Sequence, residues 1–290
     1  MNRQFTWHEH PAELLVTEMD LAGVDKTFLL SYDAEDTAWS AQQHGYTMED
    51  FSGGRKYTLL QARQFPDRFL WFNTVKDPKR YDSVALIQED AALGMVGIKL
   101  FPAFINVSLI ENDMLAVFDA CRDLDLRVLI SLETLRPPQT KSLEEYLAEL
   151  DDLLGRYPSV SFALLHVGCA DPLTPAANEV FRLAGEHANL YLSTAMPGCV
   201  WDDGTEYPFR NYLQRMKRLC EAVGAGRVMW ATDWPWFDWA FKYEQGLNAI
   251  RKHADFLTEQ EKELVLGTTA VEFMGSRLHD QVTLDGDQSA

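Results

Sequence analysis

Short, continuous apolar runs alternate with longer helical patterns along nearly the whole chain, and this alternation most restricts the folds open to it. The runs are Thr27–Ser31, Phe69–Val75, Val96–Phe101, Arg127–Leu132, Val160–His166, Leu190–Thr194 and Val228–Thr232. Helical patterns fall at Ala12–Leu21, Arg55–Gln64, Tyr81–Leu93, Asn112–Leu124, Leu143–Tyr157, Pro175–His187 and Asn211–Val223. Strands that are apolar throughout, instead of at every second residue, suit a parallel sheet covered on both faces. With a weakly marked strand before His10 the count reaches eight βα units. That number predicts a single (β/α)8 TIM-type barrel over an open doubly wound sheet.

Two more helices are expected, Phe241–His253 and an added C-terminal helix over Thr258–Met274. The latter opens with Thr258-Glu-Gln-Glu261, a capping box in which a threonine cap and an acid three residues on satisfy the first free N–H groups. No interdomain linker interrupts residues 1–279, so one domain is expected there. The tail 280–290 is polar and is expected to be disordered.

The 26 Lys and Arg stand against 44 Asp and Glu, a formal charge of −18 over 290 residues. Without a basic face to release counterions, a nucleic-acid partner is set aside. Cys121, Cys169, Cys199 and Cys220 show no CxxC or zinc-ribbon spacing. No signal peptide and no membrane-length apolar run is seen, so a cytoplasmic protein with reduced thiols is expected.

In a parallel barrel the C-terminal strand ends share one rim, where catalytic groups collect. Asp233 follows the run Val228–Thr232, and His166 closes the run Val160–His166. A carboxylate at such a junction needs a cation or donors, and it can ligate a metal or take a proton. A neutral imidazole can be a ligand or a general base. The ordinary alternatives are a turn acid before Pro235 and a structural histidine; the two residues together favour function.

His8-Glu-His10 carries the i, i+2 spacing that sets two imidazoles on one side of a strand, yet Pro11 and a helix follow at once. Two metal ligands and a solvated N-terminal segment are equally compatible with it. Lys99, inside Gly97-Ile-Lys-Leu-Phe-Pro102, is a cation within a strand. It could neutralise a rim carboxylate, orient an anionic substrate, be carbamylated to bridge metals, or simply snorkel. Glu133 stands at a strand end where a ligand is wanted, with Ser131 two residues before it. Trp234, Trp236, Phe237, Trp239 and Phe241 crowd the segment after Asp233, and Trp201 could join them as a pocket wall or a subunit interface. Trp230 reads as core.

Together the blocks Met19-Asp-Leu-Ala-Gly-Val-Asp25, Gly97–Pro102, Leu165-His-Val-Gly168 and Arg227–Pro235, with the terminal helix through Gly267, resemble the amidohydrolase-related metal-dependent (β/α)8 family. The resemblance is to the branch of aminocarboxymuconate-semialdehyde decarboxylase and related aromatic-acid decarboxylases and hydrolases, and runs from about Met19 to Gly275. It implies a divalent metal, zinc first with manganese or iron as alternatives. Its expected ligands are His8, His10 and Asp233, with His166 in acid/base chemistry or as a further ligand. The family's histidine on the fifth strand is missing: Ser131 holds that place, and Glu133 is a displaced substitute. Gly267-Thr-Thr-Ala270 stands where the family has an asparagine.

Two functions follow. One is a metal-dependent hydrolase or decarboxylase acting on a small, anionic substrate, with His166, Asp233 and Lys99 as catalytic groups and His8, His10, Glu133 and Asp233 as ligands. The other is a catalytically degenerate subunit of a hetero-oligomer whose paralogous partner carries the active metal centre, including an oxygenase. An oligomer is expected in either case.

Overall fold

The computed structural model describes residues 10–32, 54–132, 141–194, 206–235 and 241–280. Seven parallel strands lie in sequence order, β1 (Thr27–Leu30), β2 (Phe69–Thr74), β3 (Gly97–Leu100), β4 (Arg127–Ile130), β5 (Phe162–Leu164), β6 (Leu190–Ser193) and β7 (Val228–Met229). Helices alternate with them: α1 (Ala12–Ala22), α2 (Arg55–Gln64), α3 (Ser83–Ala92), α4 (Asn112–Asp123), α5 (Leu143–Arg156), α6 (Ala177–Glu186), α7 (Arg210–Val223) and α8 (Tyr243–His253). The sheet curls with helices around it as a TIM-type α/β barrel. The eighth strand expected before His10 and the tail after Asp280 lie outside the described residues. No helix among the described residues is long and apolar enough to cross a membrane.

The continuous apolar runs are explained by two separate apolar layers. Side chains alternate across a strand, so Ile98, Leu100, Val128, Ile130, Phe162, Leu164, Leu190 and Leu192 join the large cluster shared with the helices. Helix α5 answers with Tyr146, Leu147, Leu150, Leu153 and Leu154, a helical stripe, after a capping box formed by Ser142 and Glu145. The residues between, Leu70, Phe72, Leu129, Ala163 and Met229, make a second cluster inside the barrel with Phe28, Leu30 and Tyr191 packed against it.

Phe273 and Met274 of the terminal helix complete that inner cluster. Arg127, at the N-terminal end of β4, holds them there. Its Nε donates to Phe273 O at 2.9 Å, its Nη2 to Met274 O at 2.8 Å, and its Nη1 to Asp125 at 2.8 Å. The last helical carbonyls thus find donors they would otherwise lack. The plug closes the N-terminal end of the lumen, opposite the candidate rim.

Three elements depart from the sequence expectation. The run Val160–His166 forms a strand only over Phe162–Leu164, because His166, Val167, Gly168 and Cys169 all have positive φ. The run Val228–Thr232 pairs only at Val228 and Met229. Beyond them Trp230 N–H donates to Val265 O at 2.9 Å and Ala231 N–H to Thr194 Oγ1 at 3.0 Å. The terminal helix, expected to be continuous from its cap at Thr258, contains a π turn. Helix α9 (Glu259–Glu263) passes through Leu264–Thr268 into α10 (Thr269–Met274).

Gly97 leaves no space for a side chain in the inner layer. A Cβ there would stand 2.3 Å from Phe72 Cε1 and 2.4 Å from the Arg127 carbonyl oxygen. Backbone cannot move aside as a side-chain tip can, so Gly97→Ala is expected to lower unfolding stability by roughly 3 kcal/mol. Urea unfolding of the two proteins measures this; equal midpoints would mean that the β3–β4 approach is looser than described.

Candidate active-site rim

Since all seven strands are parallel, the segments after Leu30, Thr74, Leu100, Ile130, Leu164, Ser193 and Met229 lie on one rim. His166 follows β5 by two residues and Asp233 follows β7 by four, with β6 between. Neighbouring strands are about 4.8 Å apart, so the two strands are separated by roughly 10 Å.

Both residues occupy left-handed backbone. His166 has φ 54° and ψ 31°, and the turn continues through Val167 (54°, 36°) and Gly168 (66°, 23°) to Cys169 at φ 60°. A β-branched residue in this region costs about 1–3 kcal/mol. Val167 persists there because its side chain is fully buried against the outer cluster. Gly168, at φ 66°, suits the turn, and a Cβ there would also push on Leu164 Cδ2 at 2.9 Å. Asp233 has φ 51°, and the next N–H, of Trp234, donates to Thr232 Oγ1 at 3.1 Å.

His10 comes to the same side of the barrel. Its ring meets that of Trp234 edge-on, with centroids 5.1 Å apart and planes at 86°. The segment just before α1 is therefore beside the residue that follows Asp233. His8 and Glu133, the other expected ligands, lie outside the described residues. Among the described residues no three His, Cys, Asp or Glu side chains gather closely enough to hold one ion.

Lys99 lies on β3 opposite Thr74 and Leu129, on the lumen-facing side by alternation. It is 7% exposed, and its Nζ lies 4.5 Å from the centre of the Phe101 ring, one lumen-facing position nearer the rim. A quadrupole face stabilises an ammonium withdrawn from water. This placement sets Lys99 apart from a lysine snorkelling over the outside of the barrel.

Phe101 also stacks on Phe104, centroids 5.0 Å and planes 4° apart, and takes the Tyr32 ring edge-on at 5.8 Å. This aromatic wall above β1 and β3 was not singled out from the sequence; the Phe-Pro-Ala-Phe stretch after Lys99 was its only signal. Of the aromatic group after Asp233, Trp230 packs on Tyr243 and the outer cluster as expected. Phe241 is buried against Phe209, so it belongs to the core and is not an exposed wall. Trp201, Trp236, Phe237 and Trp239 lie outside the described residues.

Ser131 follows β4 and is 1% exposed, and its Oγ has no hydrogen-bond partner among the described residues. Its backbone N–H donates to Leu100 O at 2.9 Å, which places it beside Phe101 in the β3–β4 register.

Histidine and aspartate on the C-terminal rim of a parallel barrel are groups that can ligate a metal or move a proton. The family model described as Amidohydrolase matches residues 5–275, and the chain belongs to that family. Comparison with curated protein sequences gives no significant match. Among solved structures, a probable 2-pyrone-4,6-dicarboxylic acid hydrolase from Acinetobacter baumannii with citric acid bound is similar over 94% of this chain and 92% of its own, at 17% identity and TM-score 0.67. A 5-carboxyvanillate decarboxylase from Sphingomonas paucimobilis is similar over 91% and 86%, at 18% identity and TM-score 0.59. A dihydroxybenzoic acid decarboxylase from Polaromonas sp. JS666, with bound manganese and 2-nitroresorcinol, is similar over 90% and 84%, at 15% identity and TM-score 0.57.

The hydroxyl of Ser131, without a partner among the described residues, makes a direct expectation. A buried donor without a partner is destabilising, so Ser131→Ala should leave the unfolding free energy unchanged or raise it by up to about 1 kcal/mol. Thermal and urea unfolding of the variant test this. A clear loss of stability would show that the hydroxyl has a partner.

Proposed function

We propose that this protein is a metal-dependent hydrolase or decarboxylase acting on a small planar carboxylic acid. The observation that carries the reading is that His166 and Asp233 follow strands of one parallel barrel at the same end, with His10 beside Trp234. The solved structures of similar fold act, by their names, on ring acids. Lys99 would set a positive charge beneath the substrate carboxylate, and Tyr32, Phe101 and Phe104 would flank its ring.

The donor types fit a divalent ion: the imidazole of His10 and the carboxylate of Asp233 are ordinary ligands of zinc or manganese. The described residues do not complete the set, and His8 or Glu133 would have to supply the rest. Such an ion lowers the pKa of bound water and polarises a carbonyl. His166 would move the proton, to a leaving group in hydrolysis or to a ring carbon in decarboxylation. Its left-handed backbone fixes the imidazole's starting direction.

Metal analysis of protein purified without added metal, for the parent chain and Asp233→Asn, tests the reading. The amide keeps the shape but loses the charge that offsets the ion's lost hydration. Bound metal should fall about tenfold in a variant with unchanged circular dichroism. Metal content equal to the parent would locate the ligands elsewhere.

A second reading is favoured by one observation, the buried hydroxyl of Ser131 where the family's histidine is expected. In it the chain is the degenerate subunit of a hetero-oligomer with a metal-bearing paralogue. Metal found only when a second chain co-purifies would support this reading over the first.

A further inference from the structure

Both candidate strand ends are tied to one helix on the outside of the barrel. Helix α7 is seated by a buried stripe of Tyr212, Met216, Leu219 and Cys220. Arg215, beside that stripe, reaches the segment that follows His166. Its Nε donates to Asp171 Oδ1 at 2.9 Å and its Nη2 to Asp171 Oδ2 at 2.8 Å. Its Nη1 donates back to Asn211 O of the same helix at 3.2 Å. The fork is thus oriented by its own helix, and its paired bonds fix direction as well as distance. The two side chains are 15% and 29% exposed, so water screens them less than an ordinary surface pair.

Asp171 lies two residues beyond the run of positive φ from His166 to Cys169. That turn closes with Ala170 N–H donating to Val167 O at 3.3 Å. Asp171 then starts the next turn: its Oδ1 accepts the Leu173 N–H at 3.0 Å and its carbonyl the Thr174 N–H at 2.9 Å. Burial pushes the Asp171 carboxyl up, but Arg215 and the Leu173 N–H together hold it below the usual carboxylate range. A strained segment keeps its conformation only where its surroundings over-determine it. Strand β5 holds the entry of this turn and the burial of Val167 its middle; the Arg215–Asp171 pair holds its exit.

The same helical turn reaches the other strand end. Tyr212 is fully buried, and burial pushes its phenol up while the side chain of Thr194 opposes the shift. Thr194 N–H donates to Met229 O at 2.9 Å, and Thr194 Oγ1 accepts the Ala231 N–H at 3.0 Å, two residues before Asp233. We propose that Arg215 is a positioning residue, which through Asp171 fixes the turn of His166 to the helix that also braces the approach to Asp233. The proposal rests on the reading of His166 and Asp233 as the working groups of the rim. Arg215 acts on the imidazole through the backbone alone.

Histidine-ring NMR of the full-length protein reads this directly, with the His166 signals assigned by their loss in His166→Ala. Arg215→Met keeps the apolar stem and removes the fork; Asp171→Asn keeps the shape and removes the charge. In each variant the His166 ring signals should shift or split, and the Ala170 amide should exchange with solvent about tenfold faster. The Ala231 amide, held through Thr194, should keep its rate. Unchanged His166 signals and Ala170 exchange in either folded variant overturn the proposal. An equal acceleration at Ala231 also overturns it, since that would be general loosening. Asp171→Asn carries the test alone if Arg215→Met does not fold. No metal or substrate enters these measurements, so failure of the metal assignment at Asp233 and failure of the positioning role are told apart.

Discussion

The positions of the chemically interesting residues depend on one constraint: seven parallel strands held in register around a lumen that must be filled with side chains. Parallel pairing sends every C-terminal end to the same rim, so His166, Ser131 and Asp233 share a side although they lie far apart in sequence. Filling the lumen decides the rest. Phe72 needs the space that Gly97 leaves, and Phe273 and Met274 close the far end under the hold of Arg127. With that end closed, the lumen-facing Lys99 stands nearer the rim where the strands finish, its ammonium against Phe101.

Strain is concentrated at that rim. Four consecutive residues from His166 to Cys169 have positive φ, as does Asp233. Val167 would leave this conformation readily in isolation, and only its burial against the outer cluster keeps it. The rigid outer layer therefore holds the histidine's backbone in place. Trp230 and Val265 do the same for the other strand end, where a bond to the π turn replaces the ladder that β7 has run out of. π turns of this kind are frequent near functional sites.

Much of the fold was legible in the sequence because its two signals, apolar runs and helical periodicity, act over many residues. Arg55–Gln64 forms helix α2 with the bounds its pattern suggested, and Thr258 and Glu261 form their capping box. Strand ends were less legible. Nothing in Leu165-His-Val marks a left-handed turn, since valine argues for a strand and only Gly168 hints otherwise. The buried cluster around Asp90 was invisible for a different reason. Asp90 and Asn73 look like ordinary members of a helix and a strand, and only folding places them together with Arg55. The candidate site was partly legible: the sequence pointed to His166, Asp233 and Lys99 one by one, but not to the aromatic wall of Tyr32, Phe101 and Phe104.

Ser131 bears most on which of the two functional readings holds. An imidazole gives a metal a strong, neutral donor, whereas a serine hydroxyl is a weak one unless ionised. In the proposed centre, a serine in place of an imidazole would leave one strong donor fewer, and carboxylates, with Asp233 as the described candidate, would have to make up the set. A carboxylate-rich, histidine-poor set favours harder ions over zinc. The same exchange would empty the centre if no further donor is at hand. In that case the lumen of this chain would retain a buried lysine and an aromatic wall, features suited by charge and shape to a planar anion. Binding without turnover is what a degenerate subunit would retain. The two readings thus diverge at one side chain and share the rest of the barrel.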